Sequence, residues 1–278
     1  MKIAIQGIRG PFHHIVANQY FGENITLKEC LSFTEIPELL NDEMVEGAVM
    51  AIENSLAGSI LPNYALIDEF NLSIQGEVHF PIHHHLMGLE GQSLSDIKEV
   101  WSHPMALLQC RNFFRNHRNI KLVEESDTAE VARRIQKEKL KGIAAVASKT
   151  AAEIYNLHII ENEIQTRKQN YTRFFVLKKR NGKLDRSSMV NKASIKFITD
   201  HQTGSLAEVL NVFASLDINL SKIQSLPIID KPWKYAFFID VVFDDYQQYQ
   251  KAIKLVKDKT SSLKILGEYQ QSKRKHNG

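Results

Sequence analysis

The chain changes its pattern of secondary structure at a polar stretch, residues 181–191, and this change predicts two domains. Before the stretch, short apolar strands alternate with helical patterns, which is typical of an α/β domain with largely parallel strand pairing. After it, six segments follow the order βαββαβ of a ferredoxin-like domain. We predict these segments at 193–199, 205–216, 218–228, 235–243, 246–259 and 263–269. The expected division is an α/β domain at 1–180, a linker at 181–191, a second domain at 192–270 and a basic tail at 271–278.

Composition and charge narrow the class of protein. The chain is 43% hydrophobic and 24% charged, and its formal net charge of +3 is spread along the sequence, so we expect neither nucleic acid nor a membrane as a partner. It starts directly with a strand, so no secretory leader is expected, and no apolar stretch approaches the roughly 20 residues needed to cross a bilayer. Cys30 and Cys110 are too few for a disulfide scaffold and indicate a reducing, cytoplasmic location.

Polar residues of the first domain gather where predicted strands end. Asn54 and Ser55 follow one buried strand, and Ser102 and His103 end another. In open α/β sheets, ligands bind beyond the carboxyl ends of strands, where helix N-termini offer free N–H groups to anions. Several such turns in one crevice would suit a small anionic molecule. Each turn taken alone is better explained by helix capping and turn formation.

The segment Asn170-Tyr171-Thr172-Arg173-Phe174-Phe175 is more informative. Along a strand, Thr172 and Phe174 lie on one face and Arg173 on the other. An arginine among aromatic residues is suited to a bidentate contact with a carboxylate. A structural ion pair, or an exposed arginine with its stem packed on the surface, is about as well supported.

Five motifs together resemble the prephenate dehydratase family, in the family's order. They are Gly7-Ile8-Arg9-Gly10-Pro11-Phe12, Ile52-Glu53-Asn54-Ser55-Leu56-Ala57-Gly58, Ser102-His103-Pro104, Asp127-Thr128-Ala129 and Asn170-Tyr171-Thr172-Arg173-Phe174. The resemblance covers the whole chain, including a C-terminal ACT domain. It implies a catalytic domain of two α/β lobes, similar to periplasmic binding proteins, with the active site between them. It also implies conversion of prephenate to phenylpyruvate, water and carbon dioxide in phenylalanine biosynthesis, with no cofactor and no metal.

The resemblance assigns roles to particular residues. It implies that Thr172 donates a hydrogen bond or proton to the leaving hydroxyl, and that Arg173 and Phe174 complete this catalytic motif, Arg173 by holding a carboxylate or the local geometry. The residues it places around the substrate are Asn54, Ser55, Thr128, Ser102 and His103.

The sequence departs from the family pattern at several of these positions. The first turn carries Pro11 and His13 where the family commonly has hydroxyl side chains, so no catalytic role is assigned to that turn. Asp127 stands where a serine is common, and its carboxylate would repel a dianionic substrate unless it caps the following helix.

Two other patterns are discounted. The run His83-His84-His85 invites a metal site, but on a strand expected at 82–89 its members point to alternate faces, so structural histidines are favoured. Gly7 and Gly10 lack the third glycine of a dinucleotide-binding turn.

The second domain resembles the regulatory ACT domain at two segments, Gly204-Ser205-Leu206-Ala207 and Gln224-Ser225-Leu226-Pro227. The resemblance implies that L-phenylalanine binds between ACT domains of a homodimer or homotetramer and inhibits the enzyme. Gln224 replaces the usual acid and Leu226 the usual arginine, so weaker binding or a purely structural dimer domain is the alternative. Two other functions stay open: arogenate as the substrate, and a non-catalytic small-molecule sensor.

Overall fold

The computed structural model describes residues 1–10, 12–180, 190–200, 202–228 and 234–272. Most of the predicted linker and of the predicted basic tail therefore lies outside the described residues. Main-chain packing divides the chain into two compact units. One consists of Met1–Ile60 and Val78–Phe174, and the other of Leu61–Glu77 and Phe175–Gly278.

The strands of the described residues are, in chain order, β1 (Lys2–Gln6), β2 (Thr26–Cys30), β3 (Gly47–Asn54), β4 (Gly58–Ser59), β5 (Leu72–Pro81), β6 (His85–Gly88), β7 (Glu99–Ser102), β8 (Lys121–Glu124), β9 (Ile143–Ala147), β10 (His158–Glu161), β11 (Tyr171–Lys179), β12 (Lys192–Ile198), β13 (Asn219–Pro227), β14 (Tyr235–Val242) and β15 (Ser262–Tyr269). The helices are α1 (Phe12–Phe21), α2 (Glu35–Asn41), α3 (Leu61–Glu69), α4 (Pro104–Gln109), α5 (Arg111–Arg115), α6 (Thr128–Glu138), α7 (Lys149–Ile154), α8 (Ser205–Ser215) and α9 (Tyr246–Asp258). In the part of the chain that the structure describes, no helix is both long and apolar enough to span a membrane.

A first sheet has the strand order β2-β1-β3-β11-β5, with the short β4 paired to β3. Strand β1 runs parallel to both of its neighbours, as the βα alternation predicted. Its Ile3 and Ile5 are fully buried and pack with Val16 of α1. Because α1 covers this face, the turn that precedes it is held at the carboxyl end of β1.

A second sheet has the order β10-β6-β9-β7-β8 and lies within the first unit. Strand β7 is parallel to β8 and β9, whereas β6 is antiparallel to β9 and β10. The amphipathic helix α6 buries Val131 and Ile135 in a cluster with the β9 alanines Ala145 and Ala147. The α/β part of the chain is therefore built on two mixed sheets, each with helices packed against it.

The second unit contains a four-stranded sheet of order β13-β14-β12-β15 with helices α8 and α9. The predicted βαββαβ order is confirmed, and each element begins and ends within one residue of its predicted bounds. Helix α3 and the first part of β5 belong to this same unit. A Cβ atom added to Gly267 of β15 would lie 2.2 Å from the Ile74 carbonyl oxygen, so the close approach of β5 requires glycine there.

The structure corrects two local predictions and adds four elements that were not predicted, helix α3 and the short strands β4, β8 and β10. The strand expected at 82–89 is shorter than predicted and forms only β6, from His85 to Gly88. The preceding N–H groups of Ile82 and His84 bond to Asn170 O and to Gln165 Oε1 instead of to a neighbouring strand. His83 and His84 therefore lie outside any strand, and the expected alternation of the three histidines along a strand is wrong. A second difference concerns Pro104, which predicts the start of one helix that runs to about Asn116. Cys110 instead divides this stretch into α4 and α5. Helix α3 was not predicted, since its apolar residues lack a clear helical period.

Candidate active site

A cavity of about 340 Å³ opens in the first unit, within the size range of small-molecule sites. Its walls come from the end of β3, the loop before β6, the start of β11 and the N-terminal ends of α1, α4 and α6. The side chains used below line it and include three phenylalanines; they are Phe12, His13, Phe33, Asn54, His84, His103, Gln109, Asp127, Thr128, Thr172 and Phe174.

The side chain of Asn54 has one possible orientation in its hydrogen-bond network. Its Oδ1 accepts from the backbone N–H groups of Leu56 at 3.0 Å and Ala57 at 2.9 Å. Its Nδ2 is therefore the donor, and it contacts Asn170 Oδ1 at 2.8 Å and Thr172 Oγ1 at 3.0 Å. The turn after β3 thus fixes a donor against the start of β11.

This orientation determines what the Thr172 hydroxyl can do. Because Oγ1 accepts a hydrogen bond from Asn54, its own hydrogen points to another acceptor. Within the described residues, no protein group accepts it, and Thr172 lines the cavity. The pocket wall therefore presents a pre-oriented O–H donor to whatever it contains.

Gln109 continues the same network and was not singled out from the sequence. Its Oε1 accepts from Asn170 Nδ2 at 2.8 Å and lies 2.8 Å from His84 Nε2, so that ring nitrogen carries the proton. Gln109 is the one polar residue in the apolar run from Ala106 to Cys110, a signal that could have identified it. The network thus joins α4, the loop before β6 and β11.

His13 supplies a second donor to the cavity. Its Nε2 accepts from Ala51 N–H at 3.2 Å, so the neutral ring carries its hydrogen on Nδ1, for which the described structure offers no protein acceptor. The ring is held edge-on to Phe174, with centroids 5.0 Å apart. Burial lowers the pKa of His13 to about 4, so the ring is neutral near pH 7. His13 thus offers a donor in a turn whose usual hydroxyls are missing.

The buried histidines make stability depend on pH. Burial lowers the pKa of both His13 and His84 to about 4 from 6.5, so between those values protons bind the unfolded chain but not the folded one. The free energy of unfolding should be highest above pH 6.5 and fall as the pH drops toward 4, by roughly 3 kcal/mol for each histidine. Urea unfolding at pH 7.5 and 4.5 measures this loss. His13→Leu should reduce it and the exposed His158→Gln should not; an equal loss in His13→Leu would contradict the assignment.

Asp127 is the N-cap residue of α6, a role that its sequence position left open. Its Oδ1 accepts from the N–H groups of Ala129 and Glu130, both at 2.8 Å. Its Oδ2 has no hydrogen-bond partner among the described residues. Burial raises the pKa of the Asp127 carboxyl, and the bonds from the helix N–H groups act in the opposite direction. A half-buried carboxylate with one free oxygen therefore stands at the cavity wall.

The remaining residues predicted for the site form two groups, of which only one lines the cavity. His103 caps α4 by accepting from Met105 N–H at 3.2 Å, and both His103 and Thr128 line the cavity. Ser55 Oγ accepts from Tyr171 N–H at 3.0 Å, and the buried Ser102 Oγ donates to Val146 O at 2.6 Å. Ser55 thus ties the turn after β3 to β11, and Ser102 ties β7 to β9; neither serine lines the cavity.

Arg173 lies on the face of β11 opposite to Thr172. It is 5% exposed, and its Nη1 is 3.9 Å from Glu53 Oε2. The strand alternation expected from the sequence is therefore observed, with Thr172 and Phe174 at the cavity and Arg173 turned away from it. The contact with Glu53 connects β11 to the end of β3.

The residues predicted to bind an effector lie in the second unit. Gly204 stands before α8 with φ +91°, a left-handed conformation that favours glycine, and Ser205, Leu206 and Ala207 form the first turn. Gln224 and Ser225 lie on β13, an edge strand of the sheet, where Gln224 Nε2 donates to Ser225 O at 3.1 Å.

Comparison with known proteins identifies the family of this chain. The prephenate dehydratase profile matches residues 3–182, and the ACT domain profile matches residues 193–245. The chain belongs to the prephenate dehydratase family. Among curated members of this family, a bifunctional chorismate mutase/prephenate dehydratase from Aquifex aeolicus is 33% identical, over 97% of this chain and 73% of its own length. An arogenate dehydratase/prephenate dehydratase from Arabidopsis thaliana is 35% identical, over 97% of this chain and 72% of its own.

Solved structures agree over almost the whole length. A prephenate dehydratase from Arthrobacter aurescens in complex with L-Phe has a TM-score of 0.88 and 25% identity, over 98% of this chain and 90% of that one. A protein described as a novel type of quorum-quenching acylase has a TM-score of 0.88 and 28% identity, over 98% of both chains. The prephenate dehydratase family assignment and the mixed α/β fold followed by an ACT domain, both expected from the sequence, are confirmed.

Proposed function

We propose that the cavity removes water and carbon dioxide from prephenate to give phenylpyruvate, in the biosynthesis of phenylalanine. In this reaction the bond from the ring to its hydroxyl and the bond from the ring to its carboxylate both break. The electron pair of the carbon–carbon bond completes the aromatic ring, and the hydroxyl leaves as water after taking up a proton. The enzyme must hold the substrate, exclude competing water and supply a donor to the leaving hydroxyl.

The main support for this proposal is the geometry of the Thr172 O–H group. It is held by Asn54 Nδ2, lacks a protein acceptor in the described structure and lines the cavity. In the proposed mechanism Thr172 donates to the leaving hydroxyl, and Phe174 packs against the ring. Arg173 acts on geometry through Glu53.

The other assignments are part of the same proposal. Thr128 orients the substrate at the cavity wall, and His103 forms part of that wall. Asn54 acts through Thr172, whose hydroxyl oxygen it holds. Ser55 acts by tying two wall elements together through its bond to Tyr171, and Ser102 acts on the supporting sheet, where it ties β7 to β9 through Val146. The proposed place of action is the cytoplasm, which the two buried free thiols support.

An assay of phenylpyruvate formation tests the function. Purified full-length chain incubated with prephenate should form phenylpyruvate at a rate proportional to the protein concentration. Folded protein that binds prephenate and returns it unchanged would overturn the proposal and leave two alternatives, an arogenate dehydratase or a small-molecule sensor.

We extend the proposal to feedback inhibition by L-phenylalanine through the ACT domain. The A. aurescens relative, solved with L-Phe, supports this effector. The start of α8 offers free N–H groups to a carboxylate, and Gln224 offers an amide oxygen to an ammonium. A homodimer or homotetramer is proposed on the basis of the edge strand β13, whose Ile223 is 46% exposed.

Restoring an acid at position 224 tests the effector site. Gln224→Glu should lower the concentration of L-phenylalanine that halves the activity by about tenfold, because a charge-assisted bond to the ammonium replaces a neutral one. Inhibition curves with prephenate as substrate measure the effect. Gln247→Glu, which adds the same charge to the exposed first turn of α9, is the control and should leave the curve unchanged. An unchanged curve for Gln224→Glu would remove Gln224 from the effector site.

A further inference from the structure

The cavity has an unusual charge balance for a site that takes an organic dianion. Among the described residues that line it there is one carboxylate, Asp127, and neither lysine nor arginine. Its histidines do not supply positive charge near pH 7. Burial lowers the pKa of His13 and His84 to about 4 and also lowers the pKa of His103. The lining therefore carries a negative charge and no opposing cation.

Asp127 is placed to meet a ligand with this charge. One carboxylate oxygen is occupied by the N–H groups of Ala129 and Glu130 at the start of α6. The other oxygen has no hydrogen-bond partner among the described residues, and the side chain is half-buried at the cavity. A partly desolvated anion in this position gains most from a cationic donor on the ligand.

The two substrates of this reaction class differ in charge at one place. Prephenate carries one carboxylate on its ring. Its side chain carries a keto group and a second carboxylate. Arogenate has an ammonium group in place of that keto oxygen, so its side chain carries a positive charge next to the carboxylate. The ring, its hydroxyl and its carboxylate are the same, so the same elimination converts arogenate to phenylalanine, water and carbon dioxide.

We propose that Asp127 is a specificity-determining residue that binds the side-chain ammonium of arogenate and makes this chain prefer arogenate over prephenate. The inference rests on the proposed dehydratase function of the same cavity. Prephenate meets the free Asp127 oxygen with a keto oxygen and a carboxylate, neither of which donates a hydrogen bond. Prephenate therefore remains a substrate, but the poorer one.

Two substitutions remove the charge of Asp127 and should keep the fold. Asparagine and serine are as good as aspartate at a helix N-cap, so Asp127→Asn and Asp127→Ser should retain α6. The amide nitrogen that Asp127→Asn introduces would also offer prephenate a donor. The kcat/KM for arogenate should fall by about 10-fold to 100-fold in both variants, the range for a hydrogen bond to a charged group. The kcat/KM for prephenate should stay the same or rise, so the preference should change from arogenate to prephenate.

A matched control separates specificity from helix capping. Asp245 caps α9 in the same way, with Oδ1 accepting from Gln247 N–H at 2.7 Å, and it does not line the cavity. Asp245→Asn removes the same charge and should leave the ratio of the two kcat/KM values unchanged. Melting temperatures of all variants report whether the fold is retained.

Each outcome of the experiment has a distinct meaning. A wild type that prefers arogenate, with a preference lost in both Asp127 variants and kept in Asp245→Asn, supports the inference. If the wild type converts prephenate and the Asp127 variants have the same ratio of the two kcat/KM values as the wild type, this inference alone is overturned. Folded wild type that converts neither compound overturns the proposed function, and this inference with it.

Discussion

Replacing Thr172 by valine is expected to lower kcat for prephenate by about 10²- to 10⁴-fold while KM changes little. Valine keeps the shape of threonine and removes only the hydroxyl, whose hydrogen is free because Asn54 Nδ2 already donates to its oxygen at 3.0 Å. The interaction with the leaving hydroxyl strengthens as the carbon–oxygen bond breaks, so its loss reduces turnover more than binding. Steady-state kinetics with prephenate measure both constants.

Two further variants make this result specific to the hydroxyl. Thr172→Ser keeps the O–H group and should retain most of the activity. Thr26→Val makes the same change at an exposed position on strand β2, and kcat should be unaffected. A Thr172→Val enzyme with wild-type kcat would remove Thr172 from the chemistry.

Replacing Lys192 by methionine is expected to lower the free energy of unfolding of the second unit by about 3–5 kcal/mol. The Lys192 Nζ lies 2.9 Å and 2.8 Å from the two carboxylate oxygens of Glu77, and the side chains are 4% and 0% exposed. Methionine fills the same space but removes the ammonium, so the buried Glu77 carboxylate loses this ion pair. Urea unfolding of the full-length chain measures the loss.

Two comparisons separate this effect from a change in packing. The double variant Glu77→Leu, Lys192→Met removes both charges and should recover much of the stability. Lys121→Met breaks the pair with Glu99 at 3.1 Å, where the lysine side chain is 70% exposed, and should cost far less stability than Lys192→Met. If Lys192→Met unfolded at the wild-type urea concentration, the pair would contribute nothing to stability.

The second domain was predictable in detail because its local pattern and its fold agree. Its helices carry one apolar face, as in α9, which buries Tyr249, Ala252 and Val256. These residues are three and four positions apart, the spacing of one face of a helix. Helix α3 gave no such signal, and it joins this unit through distant partners: Asp68 pairs with Lys196 and with Lys264. Burial by itself would raise the pKa of Asp68, but the hydrogen bonds from Lys196 and Lys264 outweigh this and lower it.

The geometry of the cavity was predictable only where it follows from local structure. The two-residue period of a strand placed Thr172 and Phe174 on one face, and the capping preference of aspartate placed Asp127 before α6. The donors that complete the cavity depend on contacts far apart in sequence. His13 is oriented by Ala51, 38 residues away, and Asn54 is 118 residues from Thr172. Single-sequence patterns carry no information on such pairings, so the contacts that orient His13, His84 and Gln109 could not be predicted from the sequence.

A single-turnover experiment with excess wild-type protein and prephenate, quenched at intervals, tests the elimination at Thr172 most directly. Phenylpyruvate and carbon dioxide should form in equal amounts, and the Thr172→Val protein should bind prephenate but convert it at least about 100-fold more slowly. Prephenate recovered unchanged from folded wild-type protein, or equal rates for the two proteins, would contradict the elimination at Thr172.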